Sequence, residues 1–113
     1  MLAEPFYFDV RGQGSAVFLG PTEARLMELA WKHPELTVKA VLFHLGPTPG
    51  LAYTTVMTIM NRLVEKGLLT RTRTGRSFVY QAATERDTFL RGRVSQVLDC
   101  LRGNFPEHFA RKS

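Results

Sequence analysis

From Pro21 onward, apolar residues recur at helical spacing in four blocks separated by proline or glycine, and in one interval the period shortens to two. The first block predicts a helix from Pro21 to His33. Proline is tolerated in a first turn whose N–H is unpaired, and Pro34 denies the chain another turn. Its buried side should include Leu26, Met27, Ala30 and Trp31. Thr37 is placed to N-cap a second helix, Val38 to Leu45, with Val38, Val41, Leu42 and Leu45 as a narrow apolar stripe and Gly46 as its stop. Pro47-Thr48-Pro49-Gly50 then forms a turn that delivers Leu51 and Ala52 to a third helix, which runs to Lys66 and stops at Gly67.

The period-two interval follows. Leu68 to Arg73 and Ser77 to Ala82 are strand-like, with Leu69, Phe78 and Tyr80 available for burial and Arg71, Arg73 and Arg76 for solvent. Thr74-Gly75 between them suits a tight hairpin, since glycine accepts positive φ without steric cost. This hairpin is a wing. Thr84 with Asp87 three residues on resembles a capping box that opens a fourth helix to about Leu101. Its apolar stripe is Phe89, Leu90, Val94, Val97, Leu98 and Leu101, with Gly92 a weak point. A striped helix after a completed small domain needs a cover: a second subunit is the economical one, and folding back on helix one is the alternative. Ahead of these blocks, Phe6, Phe8 and Val10 alternate with Tyr7 and Asp9, and Ala16 to Leu19 follows a glycine-rich turn, which predicts a β-hairpin. The expected organisation is an N-terminal extension over 1–19, a winged helix-turn-helix over 20–82 and a dimerisation helix with a short tail over 83–113. The fold class is mainly α with a small β-wing.

The third helix has an unusual polar side. Val56, Ile59, Met60 and Leu63 form its core face, while Thr54, Thr55, Thr58, Asn61 and Arg62 gather opposite. A solvated helix face usually carries Glu and Lys; short hydroxyls, an amide and a guanidinium are groups that reach base edges and phosphates. Charge sharpens this. The chain carries +5 formally, yet residues 1–51 hold four basic and five acidic side chains. Residues 52–80 hold Arg62, Lys66, Arg71, Arg73 and Arg76 against Glu65 alone, net +4. The excess lies on the third helix and the wing, where it would attract a polyanion.

Other chemistry finds little support. At 113 residues the chain is long enough for one core, and it has no apolar run of membrane-spanning length and no secretory signal pattern, so a cytoplasmic protein is expected. Cys100 alone excludes an intrachain disulfide, and among Val97, Leu98 and Leu101 it reads as a small core residue. His33, His44 and His108 lack metal-ligand spacing; the first two sit in last helical turns, where imidazoles cap carbonyls. Gly12-Gln13-Gly14 lacks the Lys-Ser or Lys-Thr pair of a phosphate loop, and no pair of carboxylates is marked for acid–base work. An enzyme is not expected, and neither is a cofactor, a metal or a small-molecule ligand.

With two helices, a polar third helix and a wing in order, the chain resembles the BlaI/MecI/CopY family of bacterial winged-helix transcriptional repressors. The likeness covers about Leu19 to Gly103. It is carried by Leu19-Gly20, Glu23, Met27 and Trp31, by Leu36-Thr37-Val38, and above all by Ala52-Tyr53-Thr54-Thr55-Val56-Met57-Thr58 with Arg62-Leu63 and Lys66-Gly67-Leu68. Gly75-Arg76 and Val79-Tyr80 complete it in the wing. The resemblance implies a homodimer on a palindromic duplex operator, with the third helix in the major groove and the wing on the flanking backbone. By position, Thr54, Thr55 and Thr58 would lie at the groove, Arg62 would reach a base or phosphate, Tyr53 and Lys39 would contact backbone, and Arg71, Arg73 and Arg76 would follow adjacent phosphates. Structural alternatives stand beside these: Thr54 as a helix cap, Tyr53 as a packed ring, Arg73 as a solvated cation.

Two departures qualify the likeness. Members of the family generally carry a further helix beyond the position of Gly103, where this sequence has only Asn104 to Ser113, so a smaller dimer interface is expected and derepression by cleavage in that region is in doubt. The copper-responsive branch uses a C-terminal cysteine cluster that Cys100 cannot reproduce. The alternative from another class is a winged-helix module that docks on protein or RNA.

Overall fold

The computed structural model describes residues 6–47 and 51–109. Helix α1 spans Pro21–Lys32, α2 Val38–Leu45 and α3 Tyr53–Glu65; strands β1, Leu69–Thr74, and β2, Ser77–Ala82, form the wing, and α4 runs Arg86–Asn104. The turn expected at Pro47 to Gly50 lies largely outside the described residues. Each boundary has a local cause. Pro21 sits in the first turn of α1, Thr37 Oγ1 accepts the Ala40 N–H to cap α2, and Gly46 takes φ +72° at its end. Gly67 at φ +81° turns the chain from α3 into the wing.

The core forms where α1, α2 and α3 meet. Leu26 and Met27 of α1, Val41 of α2, and Val56, Met60 and Leu63 of α3 are fully buried, and Leu36, Leu69 and Tyr80 close the side toward the wing. Trp31 is partly buried against this core: its indole N–H donates to the Thr84 carbonyl (3.0 Å) and its ring lies 5.7 Å from Phe89. The strands pair antiparallel from Leu69 with Ala82 to Thr74 with Ser77, leaving Gly75-Arg76 as a two-residue loop. Gly75 has φ +62° and Arg76 does not have positive φ, the arrangement of a type II′ turn. Leu36 exchanges two backbone hydrogen bonds with Tyr80, so the segment before α2 pairs with β2 and ties the wing to the helices.

The N-terminal hairpin does not form among the described residues. Residues 14–17 make a short 3₁₀ helix, and the Asp9 N–H donates to Val17 O without any strand ladder. Alternation of Phe6 and Phe8 serves a different purpose: both rings pack on Phe18, at 6.2 and 5.9 Å. Gly12 lies so close to the following turn that a Cβ there would fall 2.4 Å from the Ala16 carbonyl oxygen. The capping box at Thr84 is also absent. Helix α4 starts at Arg86, with Glu85 as N-cap and no side-chain cap, since the Thr84 carbonyl is held by Trp31 and Asp87 pairs with Arg91 at 2.7 Å.

Cys100 is exposed rather than core, since Val97 and Leu98 take the partly buried side of that stretch of α4. His33 and His44 stack on each other with centroids 4.7 Å apart.

Candidate nucleic-acid interface

Alternation along β1 puts Leu69, Arg71 and Arg73 on one face of the wing, and pairing sets Arg71 beside Tyr80 and Arg73 beside Phe78. That face looks at α3. Leu69 and Tyr80 are buried there, so the row of side chains starts in the core and runs out along the helix toward the hairpin tip. Asn61 of α3 joins the two elements: its Oδ1 accepts from Tyr80 Oη–H at 2.8 Å and from Arg71 Nη1–H at 2.9 Å. The Arg71 guanidinium also lies 4.4 Å over the Phe78 ring, and that of Arg73 lies 5.7 Å from it. Helix and wing are thereby one continuous surface.

On α3, Thr54, Thr58 and Arg62 are exposed and Thr55 is half-buried at the margin. Thr54 does not cap the helix; Ala52 occupies that position without a side-chain bond, and the Thr54 carbonyl instead accepts from Thr58 Oγ1 at 2.9 Å. Tyr53 is half-exposed. With Lys39 and Arg76 it lines a cleft of about 300 Å³ whose floor is Met57, Phe78 and Tyr80. Lys39, at the start of α2, and Arg76, at the wing tip, are 37 residues apart in sequence and share this cleft.

Not every cation of the stretch is available. Lys66 Nζ lies 3.0 Å from a Glu23 carboxylate oxygen and joins the end of α3 to α1. Arg62, Arg76 and Lys39 have no side-chain hydrogen bond or ion pair among the described residues. Glu65 is the one acidic side chain of α3 and is exposed in its last turn, where Arg62 is exposed as well.

Helix α4 divides by burial. Phe89 is buried and Leu90, Val97 and Leu98 are half-buried, while Val94 is 46% exposed and Leu101 36%. Its root is fastened to α1 by Trp31 against Phe89 and by Arg86 on Glu28 at 3.0 Å; Ser15, buried, donates to the same Glu28 carboxylate at 2.7 Å. Arg93 lies between two rings, 5.3 Å from Phe6 and 5.0 Å from Phe89. Sequence reasoning missed this brace and the double role of Asn61, since both depend on partners distant in sequence.

Among the described residues, no helix is long and apolar enough to cross a membrane, and no three His, Cys, Asp or Glu side chains are grouped so as to hold a metal. Three helices, an antiparallel hairpin packed against the third, and a following helix define a winged helix-turn-helix protein. Comparison with known proteins agrees. The family model described as penicillinase repressor matches residues 19–112, and the chain belongs to that family. It is 36% identical over 81 residues to the transcriptional regulator BlaI of Mycobacterium tuberculosis, covering 71% of this chain and 59% of that protein. It is 32% identical over 62 residues to the penicillinase repressor of Bacillus licheniformis, covering 55% of this chain and 48% of that one. The chain thus spans only about half to three-fifths of the length of these relatives. The solution structure of the DNA binding domain of the repressor BlaI aligns with a TM-score of 0.52 at 30% identity, covering 59% of this chain and 82% of that chain.

Proposed function

We propose that this protein is a transcriptional repressor that binds duplex DNA as a homodimer, each copy reading one half of a palindromic operator. Helix α3 enters the major groove, where Thr54, Thr58 and Arg62 meet base edges and Thr55 the groove wall. Lys39 and Tyr53 hold one flanking phosphate at the cleft they share with Arg76, while Arg71 and Arg73 follow the backbone along the wing. Val94, Leu98 and Leu101 of α4 meet their counterparts in the second copy, with the partly exposed Leu90 and Val97 beside them, while Phe89 fixes the helix root to its own copy.

The observation that carries this reading is the register of β1. It puts Arg71 and Arg73 on the face that meets α3, where Arg71 bonds Asn61, so the polar side of the helix and the basic row adjoin, as reading bases and holding phosphates together requires. A test is the affinity for duplex DNA as a function of salt. Each neutralised phosphate releases counterions, so log K should fall with log salt with a slope of several units for a dimer, about −0.9 per phosphate contact. A slope near zero would sink the nucleic-acid reading.

A further inference from the structure

We propose that Asn61 reads a guanine edge in the major groove with its amide N–H groups, in an orientation that Arg71 and Tyr80 impose; the inference rests on the DNA-binding reading above. Arginine has no acceptor, so the Asn61 atom that faces Arg71 Nη1 at 2.9 Å must be the oxygen. Tyr80 donates to that same oxygen at 2.8 Å. Neither donor is free to turn away. Tyr80 is 1% exposed and its backbone is bonded to Leu36 at 2.7 and 2.9 Å, and the Arg71 guanidinium is held 4.4 Å over the Phe78 ring.

Both acceptor sites of Oδ1 are therefore occupied, and Nδ2 points the other way. Nδ2–H donates to no acceptor among the described residues, and among them no buried side-chain nitrogen or oxygen lacks a partner, so Nδ2 reaches solvent. Asn61 stands three residues after Thr58 and seven after Thr54, on the same side of α3. It is thus a donor-only group on the exposed polar side.

This excludes the usual asparagine partner. Bidentate reading of adenine needs the amide oxygen for N6–H and the amide nitrogen for N7, and here the oxygen is occupied. Guanine presents two adjacent acceptors, N7 and O6, which suit an amide that offers only hydrogens. Asn61 is a specificity residue of a kind that its amino-acid type alone would misassign.

The test uses the full chain and the operator that it enriches from random duplex DNA, with each base placed in turn at each half-site position. Wild type should prefer guanine over adenine at one position by roughly ten-fold or more. Asn61→Asp keeps an acceptor for both Tyr80 and Arg71, so the wing stays docked, but replaces the donors with an oxygen. Its preference at that position should move to cytosine, whose N4–H₂ is a donor, with other positions unchanged. Asn61→Ala should lose the preference there, whereas Tyr80→Phe, which removes one of the two donors and leaves Arg71 on Oδ1, should keep guanine preferred but by a smaller margin. Unchanged preferences in both Asn61 variants, or adenine preferred at the position they alter, would overturn this inference and leave the repressor reading intact. A wild-type chain without preference for any duplex would overturn both.

Discussion

Five cations between Ala52 and Tyr80 differ by what they already touch. Lys66 is held by Glu23, Arg71 by Asn61 and Phe78, Arg73 by the Gly75 carbonyl and, at 5.7 Å, the Phe78 ring, while Arg62 and Arg76 are unpartnered among the described residues. This sorts their expected effects. Arg62→Ala should reduce discrimination between operator and random DNA, whereas Arg73→Ala should weaken both about equally, as competitive binding assays would report. Equal losses from the two changes would remove the division between reader and clamp. Lys66→Met should lower stability by about 1 kcal/mol in chemical denaturation, because it leaves a partly buried Glu23 unpaired, and should leave the salt slope of DNA binding unchanged. A reduced slope would place Lys66 on the DNA after all.

At the scale of elements, exposure divides α4 into a fastened root and an uncovered distal face. Val94 is nearly half exposed, so Val94→Asp should leave the folded monomer about as stable as wild type, yet weaken self-association by roughly ten-fold or more in sedimentation experiments, since a charge must then be desolvated at the contact. A monomer in both proteins would contradict the role given to α4. The helices and the wing were legible because their signals are local: Pro21, the Thr37 cap, Gly46, Gly67 and the Gly75 turn each act within a few residues. The N-terminal hairpin failed because Phe6 and Phe8 alternate to meet Phe18, not a partner strand. The start of α4 was misplaced because Trp31, 53 residues before Thr84, holds the carbonyl next to the expected cap. Asn61 was legible as polar and outward, but its hydrogen-bond sense depends on strands 10 and 19 residues away.

At the scale of the molecule, the proposed account requires two reading surfaces held in fixed register. Nineteen residues give α4 a length of about 28 Å, and its root is braced by Glu28 on Arg86 and by Arg93 between Phe6 and Phe89. The direction in which α4 leaves α1 then sets how far apart two copies of α3 stand. Selection of binding sites from random duplex DNA by the full chain tests the whole arrangement most directly. The account predicts enrichment of an inverted repeat, with half-sites centred about 10 base pairs or a multiple apart, and loss of that enrichment in Arg62→Ala. Recovery of sequences without two-fold symmetry, or of no preferred sequence at all, would contradict it.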